Sequence, residues 1–378
     1  MPATEQVVVV GGGATGLSTA AALSRRGVDA LVLDRDERIG GTWARRYDRL
    51  HLHTIRRFSG LAHHPIPRGY PRYLSKDDYA RYLADYAQHF RIRLALGERV
   101  TAVCPAAQGW WEVKTADRTV TSRIVILATG HYTEPRLPVW EGADDFRGRI
   151  IHSSTYRTGR EFQGQRTLVV GLGNSGAEIV ADLVEQGAKA VTVAVRTTPP
   201  IVPRELFGLL PTQILGIALM PLGIPRVVDR VGTTLRRRSV GDLRPYGIGE
   251  AAWGPFTARR PAVIDVGFLD VLKSRRVTVR PALARLTEHG VQYVDGTVDP
   301  IDAVIAATGF TTGLERLLEE VPGIVGADGQ PLARSGQPTS APGLYVIGFD
   351  ETVRGHLFEA RRESKRLART VARRLRQD

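Results

Sequence analysis

The sequence contains little cysteine, lysine and asparagine. Its single cysteine, Cys104, cannot form an internal disulfide or a Cys-x-x-Cys redox pair, and alone it cannot hold zinc. Lysine supplies only five of the 52 basic residues, and Asn174 is the single asparagine. The formal net charge of +13 is spread along the chain and accompanies no nucleic-acid-binding motif. We therefore interpret the charge as a compositional bias that favours anionic small ligands, and we expect no nucleic-acid partner.

The sequence also lacks a long uninterrupted apolar run. Its most apolar stretch, 206–224, is broken by Pro211, Pro221 and several glycines, whereas a membrane-spanning helix needs about 18 consecutive apolar residues. No basic region precedes the first apolar segment, as it would in a signal peptide. We therefore expect a cytoplasmic protein without a membrane partner. The stretch itself is either part of a buried core or an apolar cover over a substrate cavity, and the pattern does not decide between these two.

The remaining composition is that of a globular protein, with 43% hydrophobic and 24% charged residues. A chain of 378 residues exceeds the usual size of one hydrophobic core, so two domains are expected. The motifs described next indicate what each domain binds.

A glycine-rich turn lies near the start of the chain. Four valines precede a G-x-G-x-x-G turn, and a helical pattern and a second apolar strand follow it. The motif residues are Gly11, Gly13, Gly16 and, at the tip of the second strand, Asp34. In such a turn the first glycine makes the bend, the second lets the backbone approach a pyrophosphate, and the third lets the helix pack on the strand. Because the terminal acid accepts hydrogen bonds from ribose hydroxyls, the segment predicts a dinucleotide without a 2′-phosphate.

The same arrangement occurs a second time. Gly171, Gly173 and Gly176 follow another apolar strand, and an amphipathic helix and a further strand come after them. This strand ends in Arg196 in place of an acid. A carboxylate would repel a 2′-phosphate, whereas a guanidinium binds it through paired N–H donors. The second segment therefore predicts a site for NADP(H).

A third repeated element indicates two copies of one fold. Residues 124–130 and 303–309 are apolar strands that end in Ala-Thr-Gly, and each follows a polar, alternating stretch typical of a β-meander. A short Val-Thr strand precedes each meander, at 100–101 and at 277–278. The expected fold class is therefore α/β, with two Rossmann-like dinucleotide-binding domains.

The C-terminal region is expected to complete the first domain, with a strand at 343–348 and a helix from about His356. A dinucleotide with a 2′-phosphate and a second dinucleotide without it indicate hydride transfer from NADPH to FAD. The expected domains are an FAD-binding domain of residues 1–155 and 295–378 and an NADPH-binding domain of residues 156–294 with an apolar insertion at about 199–261. The insertion is expected to form much of a substrate pocket, and four of its arginines would suit an anionic end of an apolar substrate: Arg204, Arg244, Arg259 and Arg260.

Between the glycine turns, Phe146, Gly148, His152 and Tyr156 form the pattern F-x-G-x-x-x-H-x-x-x-Y. With its two flanking turns, the sequence resembles the class B flavin-dependent monooxygenases over nearly its whole length. Within this family the sequence resembles the flavin-containing monooxygenase branch, because its pattern ends in tyrosine, whereas that of the Baeyer–Villiger enzymes typically ends in tryptophan. Further segments resemble the plant YUCCA type: Gly40–Trp43, Tyr47–Thr54, Ile201–Glu205, Val263–Gly267 and Ala306–Phe310.

The resemblance implies FAD and NADPH as cofactors, with O2 and a small organic metabolite as substrates. NADPH would reduce FAD, and a C4a-(hydro)peroxyflavin would then oxygenate an amine, a sulfide, a ketone or an α-keto acid. Because the flavin supplies the oxygen chemistry, the reaction requires no catalytic side chain. If a side chain does take part, the candidates are Arg56, Arg57 and Tyr156. No metal ion is expected, because the paired histidines lack an accompanying carboxylate or thiol set.

Residues that contact the cofactors are implied by the two turns, the Ala-Thr-Gly strands and the resemblance together. They are Gly11, Gly13, Ala14, Thr15, Gly16, Asp34, Arg35, Gly41, Thr42, Trp43, His51, His53, Thr54, Val100, Ala128, Thr129, Gly130, Gly171, Gly173, Asn174, Ser175, Gly176, Arg196, Thr197, Ala307, Thr308, Gly309, Gly348 and Phe349.

Two other functions stay open at the level of sequence. The protein could be an NADPH-dependent FAD reductase or oxidase, or a non-catalytic redox sensor that binds both dinucleotides. Many members of the resembled family have an asparagine near the flavin in the region equivalent to 56–59, where this sequence has none. The efficiency of oxygenation is therefore not carried over from the resemblance. The sequence is compatible with a homodimer.

Overall fold

The computed structural model describes residues 3–258, 261–350 and 352–377, so the expected pocket residues Arg259 and Arg260 lie outside the described residues. The strands are β1 (Ala3–Val10), β2 (Leu31–Leu33), β3 (Arg93–Ala95), β4 (Val100–Pro105), β5 (Trp111–Thr115), β6 (Thr119–Leu127), β7 (Glu134–Pro135), β8 (Arg149–His152), β9 (Arg166–Val170), β10 (Ala190–Ala194), β11 (Ile201–Pro203), β12 (Glu205–Leu206), β13 (Leu210–Pro211), β14 (Val263–Asp265), β15 (Val277–Arg280), β16 (Leu283–Thr287), β17 (Gly290–Tyr293), β18 (Val298–Pro300), β19 (Ala303–Ala306), β20 (Phe310–Thr311) and β21 (Leu344–Val346). The helices are α1 (Ala14–Ser24), α2 (Gly41–Ala44), α3 (Arg56–Ser59), α4 (Lys76–His89), α5 (Asn174–Glu185), α6 (Thr212–Leu219), α7 (Pro225–Val240), α8 (Pro255–Ala258), α9 (Phe268–Lys273), α10 (Leu314–Leu317) and α11 (His356–Arg374).

The first sheet is built around the valine-rich strand β1. Its order is β3-β2-β1-β6-β5-β4, and β21 also pairs with β6. Val7 and Val9 pack against α1 and α11 on one face, while Val8 and Val10 pack against β5 and α10 on the other. Because both faces are covered, the strand reads as a continuous apolar run rather than an alternating one.

The second sheet repeats this plan around β9. Its order is β15-β10-β9-β19-β8, and all of these strands are parallel. Helix α5 follows β9 as α1 follows β1, and β19 lies beside β9 as β6 lies beside β1. The antiparallel meander β16-β17-β18 precedes β19. The prediction of two Rossmann-like α/β units is therefore confirmed.

The strand pairing differs from the expected domain boundaries at three strands, because β18 also follows residue 294 although it pairs with β17 of the same meander. β8 precedes residue 156 and β19 follows residue 294, yet both pair within the second sheet. The physical reason is that β19 is the second copy of the Ala-Thr-Gly strand, so it lies beside the strand of its own glycine turn. The second sheet accordingly takes strands from 149–152 and from 303–306.

The two Val-Thr pairs begin strands of different kinds. Val100 begins β4, an antiparallel strand of the first meander, whereas Val277 begins β15, which runs parallel to β10. The counterpart of β15 in the first sheet is β3, which runs parallel to β2. The expectation that the two pairs are equivalent is wrong, because a Val-Thr pair indicates strand propensity without fixing the direction of pairing.

The C-terminal strand and helix form where the sequence pattern placed them. β21 pairs in parallel with β6. The buried face of α11 packs against α1, and Ser364 Oγ lies 3.2 Å from Thr19 Oγ1. Among the described residues, no helix combines the length and the apolarity that crossing a membrane requires.

Candidate active site

A cavity of about 1790 Å³ is lined by both glycine turns, by the carboxyl ends of strands from both sheets, by residues in 40–54 and by the insertion. A pocket for one drug-sized ligand usually has roughly 300–1,000 Å³. The cavity therefore has room for more than one ligand.

The first glycine turn forms one cradle in this cavity. Gly11 has a φ of 108°, and a Cβ added there would lie 2.6 Å from the carbonyl oxygen of Ala128. A Cβ added at Gly16 would lie 1.8 Å from the carbonyl oxygen of Gly11. A Cβ added at Gly13 would meet no atom within 4 Å, and Gly13 lines the cavity. Packing therefore requires glycine at 11 and 16, whereas Gly13 leaves the backbone open to a ligand.

The second turn has the same geometry. Gly171 has a φ of 103°, and its added Cβ would lie 2.7 Å from the carbonyl oxygen of Ala307. At Gly176 the added Cβ would lie 2.1 Å from the carbonyl oxygen of Gly171, while at Gly173 it would meet nothing within 4 Å. The helices that follow have no acidic residue in their first turns, so the positive ends of α1 and α5 favour phosphate groups in the cavity.

Asp34 and Arg196 occupy the two positions that the sequence predicted. The Asp34 carboxylate accepts hydrogen bonds from the N–H groups of Gly12 and Asp36, the latter at 2.7 Å, and burial raises its pKa. Carboxylate oxygens can each accept a further hydrogen bond, so ribose hydroxyls fit here. Arg196 follows β10, is exposed, and lines the same cavity. These residues fit FAD at the first cradle and NADPH at the second.

Most of the expected cofactor-contacting residues line the cavity. Those that do so are Gly11, Gly13, Ala14, Thr15, Asp34, Arg35, Gly41, Thr42, Trp43, His51, His53, Thr54, Val100, Ala128, Thr129, Gly130, Gly171, Gly173, Asn174, Ser175, Arg196, Thr197, Ala307, Thr308 and Gly309. Four others lie behind the wall, namely Gly16, Gly176, Gly348 and Phe349. Gly348 donates its N–H to Ser335 Oγ at 2.6 Å, and its added Cβ would lie 2.8 Å from Thr15 Oγ1, so it shapes the cradle from behind.

Asn174 lines the cavity, but its side chain is occupied by the protein. Its Oδ1 accepts a hydrogen bond from the backbone N–H of Ile264 at 2.7 Å, and its Nδ2 donates to Ala262 at 3.4 Å. The amide therefore ties the start of α5 to β14, which leaves the backbone of the turn, rather than this side chain, for the cofactor.

The three candidate catalytic residues do not line the cavity. Tyr156 is 1% exposed and donates its hydroxyl to Asp182 at 2.6 Å, and burial raises its pKa well above the usual range. Arg56 donates to the backbone carbonyl oxygens of Arg68 and Tyr70. Arg57 also lies outside the cavity lining, with its guanidinium over the ring of Phe58. None of these three side chains is thus part of the cavity wall, and Tyr156, the last residue of the F-x-G-x-x-x-H-x-x-x-Y pattern, packs against α5.

His152 supports the second Ala-Thr-Gly turn. Its Nε2 lies 2.9 Å from the carbonyl oxygen of Gly309, and its Nδ1 lies 3.0 Å from Ser154 Oγ. Its ring packs edge-on against Phe310, with 5.0 Å between the ring centroids. Burial lowers the pKa of His152, so this ring positions the turn as a neutral group.

Two histidines in the cavity wall were missed by sequence reasoning. The rings of His131 and His356 lie 6.2 Å apart, and both line the cavity. Burial lowers the pKa of His356 to about 4, so it is neutral near pH 7. The signal available was that His131 directly follows the Ala-Thr-Gly strand. In the described part of the chain, no group of three or more His, Cys, Asp or Glu side chains could hold a metal ion.

A buried acid joins the two halves of the cavity wall, and it was also missed. Glu178 on α5 lies 2.7 Å from His53 Nε2, and only 2% of Glu178 is exposed. Burial, and then the Glu178 carboxylate, raises the pKa of Tyr47 well above its ordinary value. The contact between His53 and Glu178 links the segment after the first cradle to α5, the helix of the second cradle.

The apolar stretch of the insertion forms cavity wall and exposed surface rather than a buried core. Leu206, Leu215 and Leu219 line the cavity, while Phe207 and Leu209 are 69% and 80% exposed. Of the two alternatives that the sequence left open, the buried core is therefore not observed for this stretch.

Gln213 attaches the insertion to the rest of the wall. Its Oε1 accepts from the N–H of Ile55 at 2.9 Å, and its Nε2 donates to the carbonyl oxygen of Arg354 at 2.9 Å. The expected pocket residue Arg244 does not line the cavity, because it pairs with Asp242 at 2.9 Å.

Two glycine cradles of one geometry that open into a shared cavity define a two-dinucleotide oxidoreductase. In agreement, the family model of the pyridine nucleotide-disulphide oxidoreductases matches residues 8–203. The chain is 37% identical to the indole-3-pyruvate monooxygenase YUCCA1 of Oryza sativa subsp. japonica, over 91% of this chain and 86% of that protein.

Solved structures give the same assignment. A flavin-containing monooxygenase from Stenotrophomonas maltophilia is 26% identical, with a TM-score of 0.76 over 99% of both chains. An ε-caprolactone-bound cyclohexanone monooxygenase, 19% identical, shares the fold with a TM-score of 0.76 over 99% of this chain and 88% of that one. The chain belongs to the class B flavin-dependent monooxygenases, in their YUCCA-like branch, and is an FAD-dependent NADPH monooxygenase. The predicted family, enzyme class and cofactors are thereby confirmed.

Proposed function

We propose that this enzyme oxygenates an apolar α-keto acid of the indole-3-pyruvate kind. The observation that carries the proposal is the shared cavity, which is lined by the two cradles together with apolar side chains and Arg204 of the insertion. The names of the related YUCCA proteins, which are 32–37% identical, support the same substrate class. In the proposed reaction, the α-keto acid, O2, NADPH and one proton give the carboxylic acid one carbon shorter, CO2, NADP⁺ and water. The bond between the keto carbon and the carboxylate breaks.

The proposed tasks of the protein are to bind, to orient and to exclude water. Gly13 and Gly173 would bring bare backbone to the two pyrophosphates, Asp34 would bind the ribose of FAD, and Arg196 would bind the 2′-phosphate of NADPH. With FAD bound, the flavin supplies the oxygen chemistry, for which we propose the C4a-(hydro)peroxyflavin of the resembled family. The apolar insertion would shield that chemistry from water.

We also propose a division into two cofactor domains that follows the sheets. The FAD domain would contain β1 to β6, β21 and α11, and the NADPH domain would contain β8 to β10, β15 and β19. The segment 199–261 would be the insertion that covers the substrate. Compared with the sequence-based boundaries, this proposal moves β8 and β19 from the FAD domain to the NADPH domain.

Anaerobic reduction with NADPH followed by a pulse of O2 tests the oxygenase assignment. We expect bleaching of the flavin, then an absorbance intermediate distinct from oxidised and reduced flavin. Direct return to oxidised flavin with release of hydrogen peroxide would instead indicate an NADPH oxidase. A flavin that NADPH does not bleach would indicate a binding protein without turnover.

Product analysis tests the substrate class. An amine, a sulfide, a ketone and an α-keto acid would be supplied separately to the FAD-loaded enzyme with NADPH and O2. We expect CO2 and the shortened carboxylic acid from the α-keto acid, in proportion to the NADPH consumed. Preferential oxygenation of any of the other three compounds would contradict the proposed substrate class.

A further inference from the structure

A cluster of two arginines, one glutamate and one tyrosine lies beside the apolar wall of the cavity. The guanidinium carbon of Arg204 lies 4.1 Å from the ring centroid of Tyr73, and the Tyr73 hydroxyl donates to Glu205 Oε1 at 2.9 Å. Arg72 Nη1 also lies 2.9 Å from Glu205 Oε1. The cluster is therefore held by one cation–π contact, one hydrogen bond and one ion pair.

The charges in this cluster do not cancel. Arg72 neutralises the charge of Glu205, so the positive charge of Arg204 remains uncompensated within the cluster. Among the described residues, no carboxylate lies within ion-pair distance of Arg204. Arg204 is half-buried and lines the cavity, with Val202 and Leu206 as lining neighbours in the chain. A partly desolvated guanidinium without an acid partner favours an anionic ligand.

Backbone contacts place Arg204 near the segment expected to contact the flavin. The carbonyl oxygen of Arg204 accepts from the N–H of Thr212 at 3.0 Å. The next residue, Gln213, binds the N–H of Ile55 at 2.9 Å, and Ile55 directly follows Thr54. Tyr73 is connected to the same segment through its neighbour Arg72, whose carbonyl oxygen accepts a hydrogen bond from the N–H of Arg56 at 2.8 Å.

In the described part of the insertion, 199–258, a second cationic residue lines the cavity, and it has different neighbours. Arg236 is near Arg237 and Glu250, which pair with each other at 2.7 Å. The adjoining segment continues to Ala252, whose N–H donates to Thr198 at 2.9 Å, close to the predicted 2′-phosphate residue Arg196. Arg236 is therefore connected to the segment of Arg196, whereas the backbone contacts of Arg204 lead to residues 54–55.

We propose that Arg204 binds the carboxylate of the substrate and thereby selects apolar molecules with an anionic end over neutral ones. This inference rests on the proposed function, because an α-keto acid carries that carboxylate next to the reacting carbonyl. The Tyr73 ring holds the guanidinium plane in place, and Glu205 acts through Tyr73 as a positioning residue.

The test compares phenylpyruvate with phenylacetone, in which a methyl group replaces the carboxylate. Binding of each to the oxidised FAD-loaded enzyme is measured by titration calorimetry without NADPH or O2. In Arg204→Gln we expect the Kd for phenylpyruvate to rise at least about tenfold, while the Kd for phenylacetone changes less than about twofold. In turnover, the KM for the keto acid should rise and the KM for NADPH should stay unchanged.

Two further variants complete the design. Arg238→Gln removes an exposed arginine of α7 outside the cavity, and we expect wild-type Kd values for both ligands. Arg204→Lys retains the charge but not the planar guanidinium, so we expect an intermediate Kd for phenylpyruvate. FAD content and thermal stability of each variant show whether the fold is intact.

The proposal is overturned if the wild-type enzyme does not bind phenylpyruvate, if Arg204→Gln weakens both ligands equally, or if it weakens neither. It is also overturned if the KM for NADPH rises with that for the keto acid, since Arg204 would then act on the nucleotide. Because binding is measured without turnover, failure of the enzyme to oxygenate an α-keto acid would be seen separately in the product analysis.

Discussion

At the scale of single residues, the glycines of each turn have two different tasks. Gly16 and Gly176 leave no room for a side chain, because an added Cβ would be 1.8 Å and 2.1 Å from a backbone oxygen. Gly13 and Gly173 have open space at the same point, and that space is the cavity. One kind of glycine is therefore required for folding, and the other is proposed to be required for cofactor binding.

Two alanine substitutions in the second turn separate these tasks. Gly176→Ala should lower the free energy of unfolding by about 1–3 kcal/mol, because α5 must move away from β9. Gly173→Ala should leave the free energy of unfolding within about 0.5 kcal/mol but raise the KM for NADPH at least about tenfold, because the methyl group occupies the space of the pyrophosphate. Urea unfolding and steady-state kinetics measure the two effects. Identical profiles for the two variants would contradict this division.

At the scale of elements, α11 carries a buried acid on the face that packs against the first sheet. Glu363 is 7% exposed and accepts a hydrogen bond from the hydroxyl of Ser335, which in turn accepts from the N–H of Gly348. Burial raises the pKa of Glu363 from 4.5 to about 7. Between these two values the folded protein holds a proton that the unfolded chain has released, so stability falls as the pH rises through this range.

Glu363→Gln should remove this pH dependence. The amide retains the shape and the acceptor oxygen but cannot ionise. We expect the free energy of unfolding of Glu363→Gln, relative to that of the wild type, to increase by about 1–3 kcal/mol between about pH 5 and about pH 8. Urea unfolding at each pH measures this difference. Glu319→Gln, at an exposed position of the chain, is the control and should follow the wild type. Parallel curves for the wild type and Glu363→Gln would show that the buried carboxyl does not titrate in this range.

At the scale of the whole molecule, the contact between Glu178 and His53 joins elements of the two cradles. It is a contact of 2.7 Å between the buried Glu178 and the half-buried His53, across 125 residues of sequence. A second contact from the same helix, Glu185 to Arg49 at 2.8 Å, is exposed. Buried polar contacts are costly to break, whereas exposed ion pairs contribute little.

We expect Glu178→Ala to lower the free energy of unfolding by about 1–3 kcal/mol, because it leaves His53 without its partner. Flavin reduction by NADPH, followed anaerobically in a stopped-flow instrument, should slow at least about tenfold while FAD content is retained, since α5 is less firmly positioned against the segment of His53. Glu185→Ala should change stability by less than about 1 kcal/mol and leave the reduction rate unchanged. Equal effects of the two substitutions would contradict a special role for the buried contact.

The sequence by itself determined the features that depend on local backbone geometry. The two glycine turns, the acid and arginine after the second strand of each unit, and the Ala-Thr-Gly strands were all predictable, because each requires particular residues at short spacing. The repeat of these features also determined the fold class. The C-terminal strand and helix followed from their apolar pattern.

Only the tertiary structure decided which side chains reach the cavity and which charges remain unpaired. Tyr156 belongs to the pattern that identifies the family, yet it is buried against Asp182. Arg204 was one of four candidate arginines of the insertion, and only the structure shows that Arg72 neutralises Glu205 and, among the described residues, leaves Arg204 without an acid. Likewise β19 joins the second sheet although it follows residue 294, the expected end of that domain. The physical reason is that burial, strand pairing and charge neutralisation depend on residues far apart in the chain, which no local pattern specifies.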